Sequence, residues 1–185
     1  MLTCLALILF FSKSLLRHPI ARSSIEEFTG DSQFQWIIAD PAHESGAIKA
    51  HDQIDRVILC SGQVYAALQK YRADNQIDNV AITRIEQLHP FPWEQLRENL
   101  DTYQNAKTVV WAQEEPLNAG GWSYAQPRIE TLLNQTEHHD RKHVMYAGRN
   151  PSASVATGLK SSHTKEEQEL LEMAFNVKQD KLKGE

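Results

Sequence analysis

The sequence predicts an α/β fold: three layers, with a mostly parallel, twisted sheet covered by helices on both faces. Three observations predict it. The runs 56–60 (RVILC), 80–85 (VAITRI) and 108–112 (TVVWA) are short and nearly all apolar, as expected of strands buried on both faces. Between such runs lie stretches with helical periodicity, the clearest carrying Val64, Leu68 and Tyr71. Turn and breaker residues separate the two kinds of segment: Ser61-Gly62, Pro90-Phe91-Pro92 and Gly120-Gly121.

Taken in order, the first strand is expected at about 5–11 (LALILFF). That run is too short to span a membrane, which takes about 20 residues. No basic residue precedes it and no small-residue cleavage site follows, so it does not read as a secretory signal. A short helix near 13–17 should stop before Pro19, because a residue that precedes proline avoids helical backbone. Ser23 or Ser24 is placed to cap a brief helix through Phe28, with Glu26 and Glu27 in its first turn. Residues 35–38 form a short strand. Residues 40–53 are polar, contain Pro41 and Gly46, and read as an exposed loop. Strand 56–60 leads through Ser61-Gly62 into a helix over 63–75, then to strand 80–85. Pro92 suits the first turn of a helix running to about Leu100. Strand 108–112 and the Gly120-Gly121 turn precede a helix through Leu133, with Pro127 early enough to start or bend it. A short strand at 143–146 and a helix over 166–175 complete the series.

With 185 residues, 41% hydrophobic and 23% charged, the chain fits one domain spanning 1–185. Residues 1–7 form an atypical lead-in, and the charged tail at 176–185 is expected to fray. A net charge of −5 without a dense basic run argues against a nucleic-acid partner. Cys4 and Cys60 match no metal spacing and fit a reducing compartment.

No dinucleotide fingerprint, phosphate loop, nucleophile elbow or zinc helix is present, so no catalytic, cofactor-binding or metal-ligating residue is expected. Ser61-Gly62, at a strand end before a helix, is either a simple tight turn or a place for an anionic ligand. Gln113-Glu114-Glu115 follows a strand. Neighbouring carboxylates in an extended segment point apart, so positioning or contact is expected rather than proton sharing. His138-His139-Asp140 lies in a polar stretch and reads as a solvated loop. Trp93, Trp111 and Trp122 read as core residues. Arg17, Arg84 and Arg149 each end an apolar segment, suited to clamp an anion or to pair across a domain boundary.

Six segments together resemble one family: SKSLLRHPIARSS (12–24), FQWII (34–38), ILCSGQVY (58–65), TRIEQLHPFP (83–92), WAQEEPLNAGGW (111–122) and YAGRNPSASVATG (146–158). The chain resembles, from about Ile8 to Phe175, the C-terminal domain of the thiamine-dependent first component of the 2-oxoglutarate dehydrogenase complex, with the wording of a fungal mitochondrial member. The resemblance implies a transketolase-like arrangement of three α/β domains and a homodimer. Thiamine diphosphate and magnesium would lie between the first two domains. It implies an oxidoreductase of the tricarboxylic acid cycle that decarboxylates 2-oxoglutarate and transfers the succinyl unit to a lipoyl group on the complex's succinyltransferase. The last domain would support assembly with the remaining domains of the same enzyme, here inactive alone. The location implied is the mitochondrial matrix, without a targeting peptide in these residues, as for a fragment or a truncated reading of a longer gene. Some regulated bacterial relatives bind acetyl-coenzyme A on this domain. The corresponding positions here are Cys60, Gln63, Gln113, Gly120 and Gly121, with Cys60 and Gln63 departing from the polar and basic residues of that site. The dimer contact expected from WAQEEPLNAGGW involves Glu114, Glu115 and Trp122. A separate module that binds a nucleotide or coenzyme A-type effector is the competing reading. A third is a chain that never accumulates folded, since a domain built to pack against others exposes apolar surface and aggregates.

Overall fold

The computed structural model describes residues 8, 12, 13, 15–139 and 143–175. It divides into two compact units at the Phe34/Gln35 boundary. In the first, the expected helix near 13–17 is replaced by hydrogen-bonded turns, Leu15 N–H to Ser12 and His18 N–H to Leu15. Pro19, expected to end a helix, instead begins a 3-10 helix, Pro19–Ala21. Its fixed φ and missing N–H cost nothing at a first helical position. A second 3-10 turn, Ile25–Phe28, follows Ser24, whose N–H donates to the Glu27 carboxylate at 3.0 Å. The expected strand at 5–11 and the segments 1–7 and 176–185 lie outside the described residues, Ile8 apart.

The second unit is the α/β body. In chain order it contains β1 (Ile37–Ile38), β2 (Arg56–Cys60), α1 (Val64–Asp74), β3 (Val80–Ile85), α2 (Trp93–Thr102), β4 (Thr108–Pro116), α3 (Trp122–Leu133), β5 (Val144–Arg149) and α4 (Lys160–Phe175). The sheet order is β1-β3-β2-β4-β5. β1 runs antiparallel to β3, and the other pairs are parallel. The apolar strands are therefore interior, as their composition predicts.

Alternation along the strands feeds two cores. Val57, Leu59, Val109 and Trp111 join Leu96, Leu100, Ala125, Ile129 and Leu132 from α2 and α3 in one buried cluster. Ile58, Cys60, Val110 and Ala112 face the other way and are fully buried, on the side where α1 packs against α4. The inner strands are in step. Arg56 stands opposite both Val80 and Thr108, and Cys60 opposite both Arg84 and Ala112. At Cys60 the three strands are level, and β4 then runs on past the end of β2.

The 40–53 segment is not the exposed loop its composition suggests. Asp40, Ala42 and Ile48 are buried. Asp40 forms a salt bridge with Arg72 of α1, with side chains 0% and 6% exposed. Arg72 Nη2 donates to Asp40 Oδ1 at 3.0 Å, and Nη1 donates to Oδ2 and to the Val80 carbonyl at 3.1 Å. Asp40 also accepts the N–H groups of Ile82 (2.7 Å) and Ala42 (3.0 Å). β1 ends after two residues, and the carboxylate takes over an N–H of β3 that a longer strand would have bonded.

Other elements run longer than expected. β4 continues from Ala112 to Pro116, β5 from Tyr146 to Arg149, and α4 begins at Lys160 rather than Glu166. α3 starts at Trp122 and carries Pro127 inside it.

Candidate functional site

β2 leads through α1 to β3 on one side of it, and β4 leads through α3 to β5 on the other. The two connections leave in opposite directions, so a crevice opens between the carboxyl ends of β2 and β4. Open α/β sheets bind ligands at such a point.

One lip is the Cys60–Gln63 turn. Gly62 has φ +79°, a conformation that disfavours a side chain, and Gln63 is the N-cap of α1. The other lip is the end of β4. Gln63 Nε2 donates to Glu114 Oε2 at 2.6 Å, closing the crevice across its mouth. A cavity of about 20 Å³ is also bordered by Glu114, with Val64, Arg149, His163 and Glu166 among its other walls. It has room for a water-sized group.

The two carboxylates there differ. Burial pushes the Glu114 pKa up, against the Gln63 hydrogen bond, while Glu115 and Glu167 push it further up and His163 opposes. Glu166 is held below the usual carboxylate range, chiefly by the Thr157 hydroxyl, with burial opposing and Arg149 assisting. Arg149 Nε lies 2.7 Å from Glu166 Oε2, and its Nη1 donates to the Val155 carbonyl at 3.0 Å. Thr157 also donates to Glu166. The strap 150–159 is therefore fastened by the same ion pair, and Asn118 clips it again through Ser152, donating to its carbonyl (2.9 Å) and accepting from its N–H (3.0 Å).

Several residues singled out in the sequence converge here. Gln113, only 3% exposed, organises the β4–α3 connection. Its Oε1 accepts Trp111 Nε1 (2.9 Å) and the Trp122 N–H (2.8 Å). Its Nε2 faces the carbonyls of Ala119 (2.8 Å), Glu115 and Pro116 (both 3.2 Å). A Cβ on Gly121 would stand 2.9 Å from Trp111, and one on Gly120, at φ +64°, 2.9 Å from the Glu115 side chain. Both glycines thus permit close packing. Trp122 is half-buried and meets Tyr146 edge-on, with centroids 5.1 Å apart. Glu114 and Glu115 lie within β4 rather than in a loop after it, and as an extended pair they diverge, Glu114 to Gln63 and Glu115 to Gly120. Cys60 is fully buried, with its thiol pKa pushed up to about 12 by burial.

The arginines separate. Arg84, at the end of β3, stacks over Tyr65 at 4.4 Å and pairs with Glu86 at 3.6 Å. Arg149 is engaged by Glu166 within the same unit. Arg17 is exposed and belongs to the other unit.

Two expectations are corrected. His139 is fully buried rather than solvated, its Nε2 2.9 Å from the Leu100 carbonyl and its N–H donating to Thr136 Oγ1 at 3.2 Å. His138 is exposed as expected, and Asp140 lies outside the described residues. Trp93 is 43% exposed, resting edge-on against Phe91 at 4.9 Å, whereas Trp111 is core, at 1%. Thr157, His163 and Glu166 were missed by sequence reasoning. No motif marks them, since their roles arise from α4 folding back over the sheet. Among the described residues no three His, Cys, Asp or Glu side chains cluster as a metal site, and no helix is long and apolar enough to cross a membrane.

Comparison with known proteins adds a family. The model described as "2-oxoglutarate dehydrogenase C-terminal" matches residues 22–175. The chain is 52% identical over 170 residues to "2-oxoglutarate dehydrogenase, mitochondrial" of Schizosaccharomyces pombe, covering 91% of this chain and 16% of that protein. It is 50% identical over 169 residues to the Saccharomyces cerevisiae protein of the same name, with the same coverage. The chain thus spans about 16% of the length of these relatives. A solved structure, "Split gene transketolase, inactive beta4 tetramer", aligns with a TM-score of 0.49 at 15% identity, covering 80% of this chain and 44% of that one.

Proposed function

This chain belongs to the 2-oxoglutarate dehydrogenase C-terminal family, and on that premise we propose that it is the assembly domain of a mitochondrial enzyme that decarboxylates 2-oxoglutarate and passes the succinyl unit to a lipoyl carrier. The observation that carries this reading is identity of 52% and 50% to two mitochondrial 2-oxoglutarate dehydrogenases across 91% of the chain. Its partners are then the remaining domains of that enzyme, a second copy in a homodimer, and the lipoyl-bearing succinyltransferase. Glu114, Glu115 and Trp122 supply part of the dimer contact. An aromatic side chain such as Trp122, half-buried beside a tight turn, favours such a surface, with the two carboxylates at its polar rim.

Thiamine diphosphate and magnesium do not fit the crevice. Its cavity of about 20 Å³ admits a water-sized group, and its side chains offer a clamped Arg149–Glu166 pair rather than free ligands for a diphosphate-bound metal. We assign no chemical step to these residues, and propose that the chain is inactive alone. The test combines the 185-residue chain with thiamine diphosphate, magnesium and 2-oxoglutarate. No carbon dioxide is expected, and turnover by the chain would overturn the assignment. In a full-length enzyme, deleting the domain should abolish dimers in sedimentation, and an intact dimer would overturn the assembly role.

A second reading has one observation in its favour: the Gly62 turn and the start of α1 lie at the switch point, where effectors such as acetyl-coenzyme A or a nucleotide would bind. Against it, Cys60 and Gln113 are buried and Gln63 is already held by Glu114. Calorimetry against acetyl-coenzyme A, coenzyme A and AMP separates the readings. Micromolar binding, about −8 kcal/mol, would favour the effector module.

A further inference from the structure

Three stacked rings hold down the loop between β1 and β2. His43 and His51 lie face to face, with centroids 3.8 Å apart and planes inclined by 13°. Both stack on Tyr103, with centroids at 5.7 and 5.4 Å. Tyr103 is fully buried just after α2, so the stack ties a surface loop to the core. Either side of His43, Ala42 and Ile48 enter the same core cluster.

His43 Nε2 is buried without a hydrogen-bond partner. A neutral imidazole leaves only an unfilled lone pair there. An imidazolium would place a charged N–H donor at a position with no acceptor, against a second imidazole. The titratable and charged groups around His43 are His51 on the same loop, Asp40 at the loop's start, Arg72 from α1 and Tyr103 from the segment after α2. Among these groups only Asp40 favours a charged His43, and its oxygens already accept from Arg72, Ala42 and Ile82.

We propose that the His43–His51–Tyr103 stack is a proton-released latch, holding residues 41–53 against the sheet while His43 is neutral and freeing them when it is protonated. Burial, followed by His51, lowers the His43 pKa from its ordinary 6.5, with Asp40 and a hydrogen bond to the Lys49 backbone opposing and Arg72 adding to the fall. A histidine whose pKa is lower in the closed state is more easily protonated in the open one. The latch is therefore complete above about pH 6.5 and weakens as pH falls below it. Pro41, Ala42, Ser45 and Ala47 of this loop form one wall of a groove whose other side includes Arg72, Ala73 and Gln76. Release of the latch would widen that groove.

Hydrogen exchange measured by mass spectrometry on the 185-residue chain, corrected for intrinsic exchange at pH 7.5 and 5.5, tests the latch. With an open-state His43 titrating near 6.5, protection of 41–53 should fall by up to about tenfold between these pH values. Protection in β2 and β4 should hold. His43→Phe keeps a stacking ring but no proton site, and should remove the pH dependence. Unchanged wild-type protection, or the same fall in His43→Phe, overturns the proposal. If that variant does not fold, an NMR titration of the wild-type His43 ring decides. A pKa below 6.5 with coincident Tyr103 shifts supports the latch, and a pKa at or above 6.5 overturns it.

Discussion

Arg72→Met is the sharpest test of how the edge of the sheet is closed. Arg72 and Asp40 are almost completely buried, so the substitution leaves a carboxylate in the interior without its counter-charge. Breaking a buried pair in this way typically costs about 3–5 kcal/mol. The Val80 carbonyl also loses its contact with Nη1. Asp40 keeps the N–H groups of Ala42 and Ile82, and hydrogen bonds to a charged group are worth roughly 1.5–3 kcal/mol each. Those two bonds place the expected loss at the low end, about 3 kcal/mol. Asp40→Ala strands the guanidinium and both N–H groups together, and should cost more, about 4–5 kcal/mol. With a urea slope of about 2 kcal/mol per molar, Arg72→Met should lower the unfolding midpoint by roughly 1.5 M. The assay is urea denaturation followed by far-ultraviolet circular dichroism, with the double variant included. Because the two side chains share their bonds, the double variant should cost less than the sum of the singles. A loss below about 1 kcal/mol for Arg72→Met, the range of a surface ion pair, would refute the reasoning, as would strict additivity.

The other predictions are narrower. Gly121→Ala places a methyl 2.9 Å from Trp111, which is packed at 1% exposure and has little room to yield; the loss should be about 1–3 kcal/mol, and an unchanged melting temperature would show that the turn adapts. Glu114 has a raised pKa in the fold, so its contribution to stability is present below its ordinary value of 4.5 and is lost as pH rises through the raised one. Glu114→Gln should flatten that part of the stability profile while keeping the contact with Gln63, and urea melts from pH 4 to 7 that superimpose on the wild type would contradict the sign. In a full-length enzyme, Glu114→Gln or Glu115→Gln should leave decarboxylation within about tenfold, since loss of a general acid or base costs roughly 10²–10⁴-fold; a loss in that range with the dimer intact would give the carboxylate a chemical role. Trp122→Ala in the same enzyme should weaken dimerisation by about 2 kcal/mol or more, near thirtyfold, whereas an unchanged dimer constant with a lower melting temperature would assign Trp122 to the domain's own core.

The inner strands were legible because strands covered on both faces have no polar alternation, and β2, β3 and β4 show none until their ends. One lip of the crevice was legible too, since Ser61-Gly62 after a strand marks where α1 must begin, whereas the strand order that sets β4 beside β2 has no local signal. What stayed hidden depends on partners remote in sequence. Arg72 lies one i+4 step beyond Val64 and Leu68, and a cation on that buried row was a signal of a buried partner. The partner, Asp40, sits in a stretch whose average polarity concealed it. The polarity of Gln113-Glu114-Glu115 ends the apolar run that marks β4, so the sequence places them after the strand rather than within it. Gln113 is nonetheless buried, since its whole amide is satisfied internally. The first turn of α4, Lys-Ser-Ser-His-Thr, has weak intrinsic helix preference. Its tether through Glu166 to Arg149 and Thr157 is a tertiary contact that no local pattern announces.

The way Gln113 is used has a consequence for molecular adaptability. With both ends of its amide committed to Trp111, Trp122 and the carbonyls of the turn, the end of β4 and the start of α3 are welded into one stiff wall. A ligand that reaches the crevice gains nothing from remodelling that side. All accommodation has to come from the opposite lip, 60–63, or from the strap at 150–159, which a handful of hydrogen bonds to Asn118, Arg149 and Glu166 hold in place. Such a one-sided mould loses little entropy when it closes on a shape that already fits. It should also discriminate steeply against bulkier analogues, because half of its surface has no alternative packing to offer.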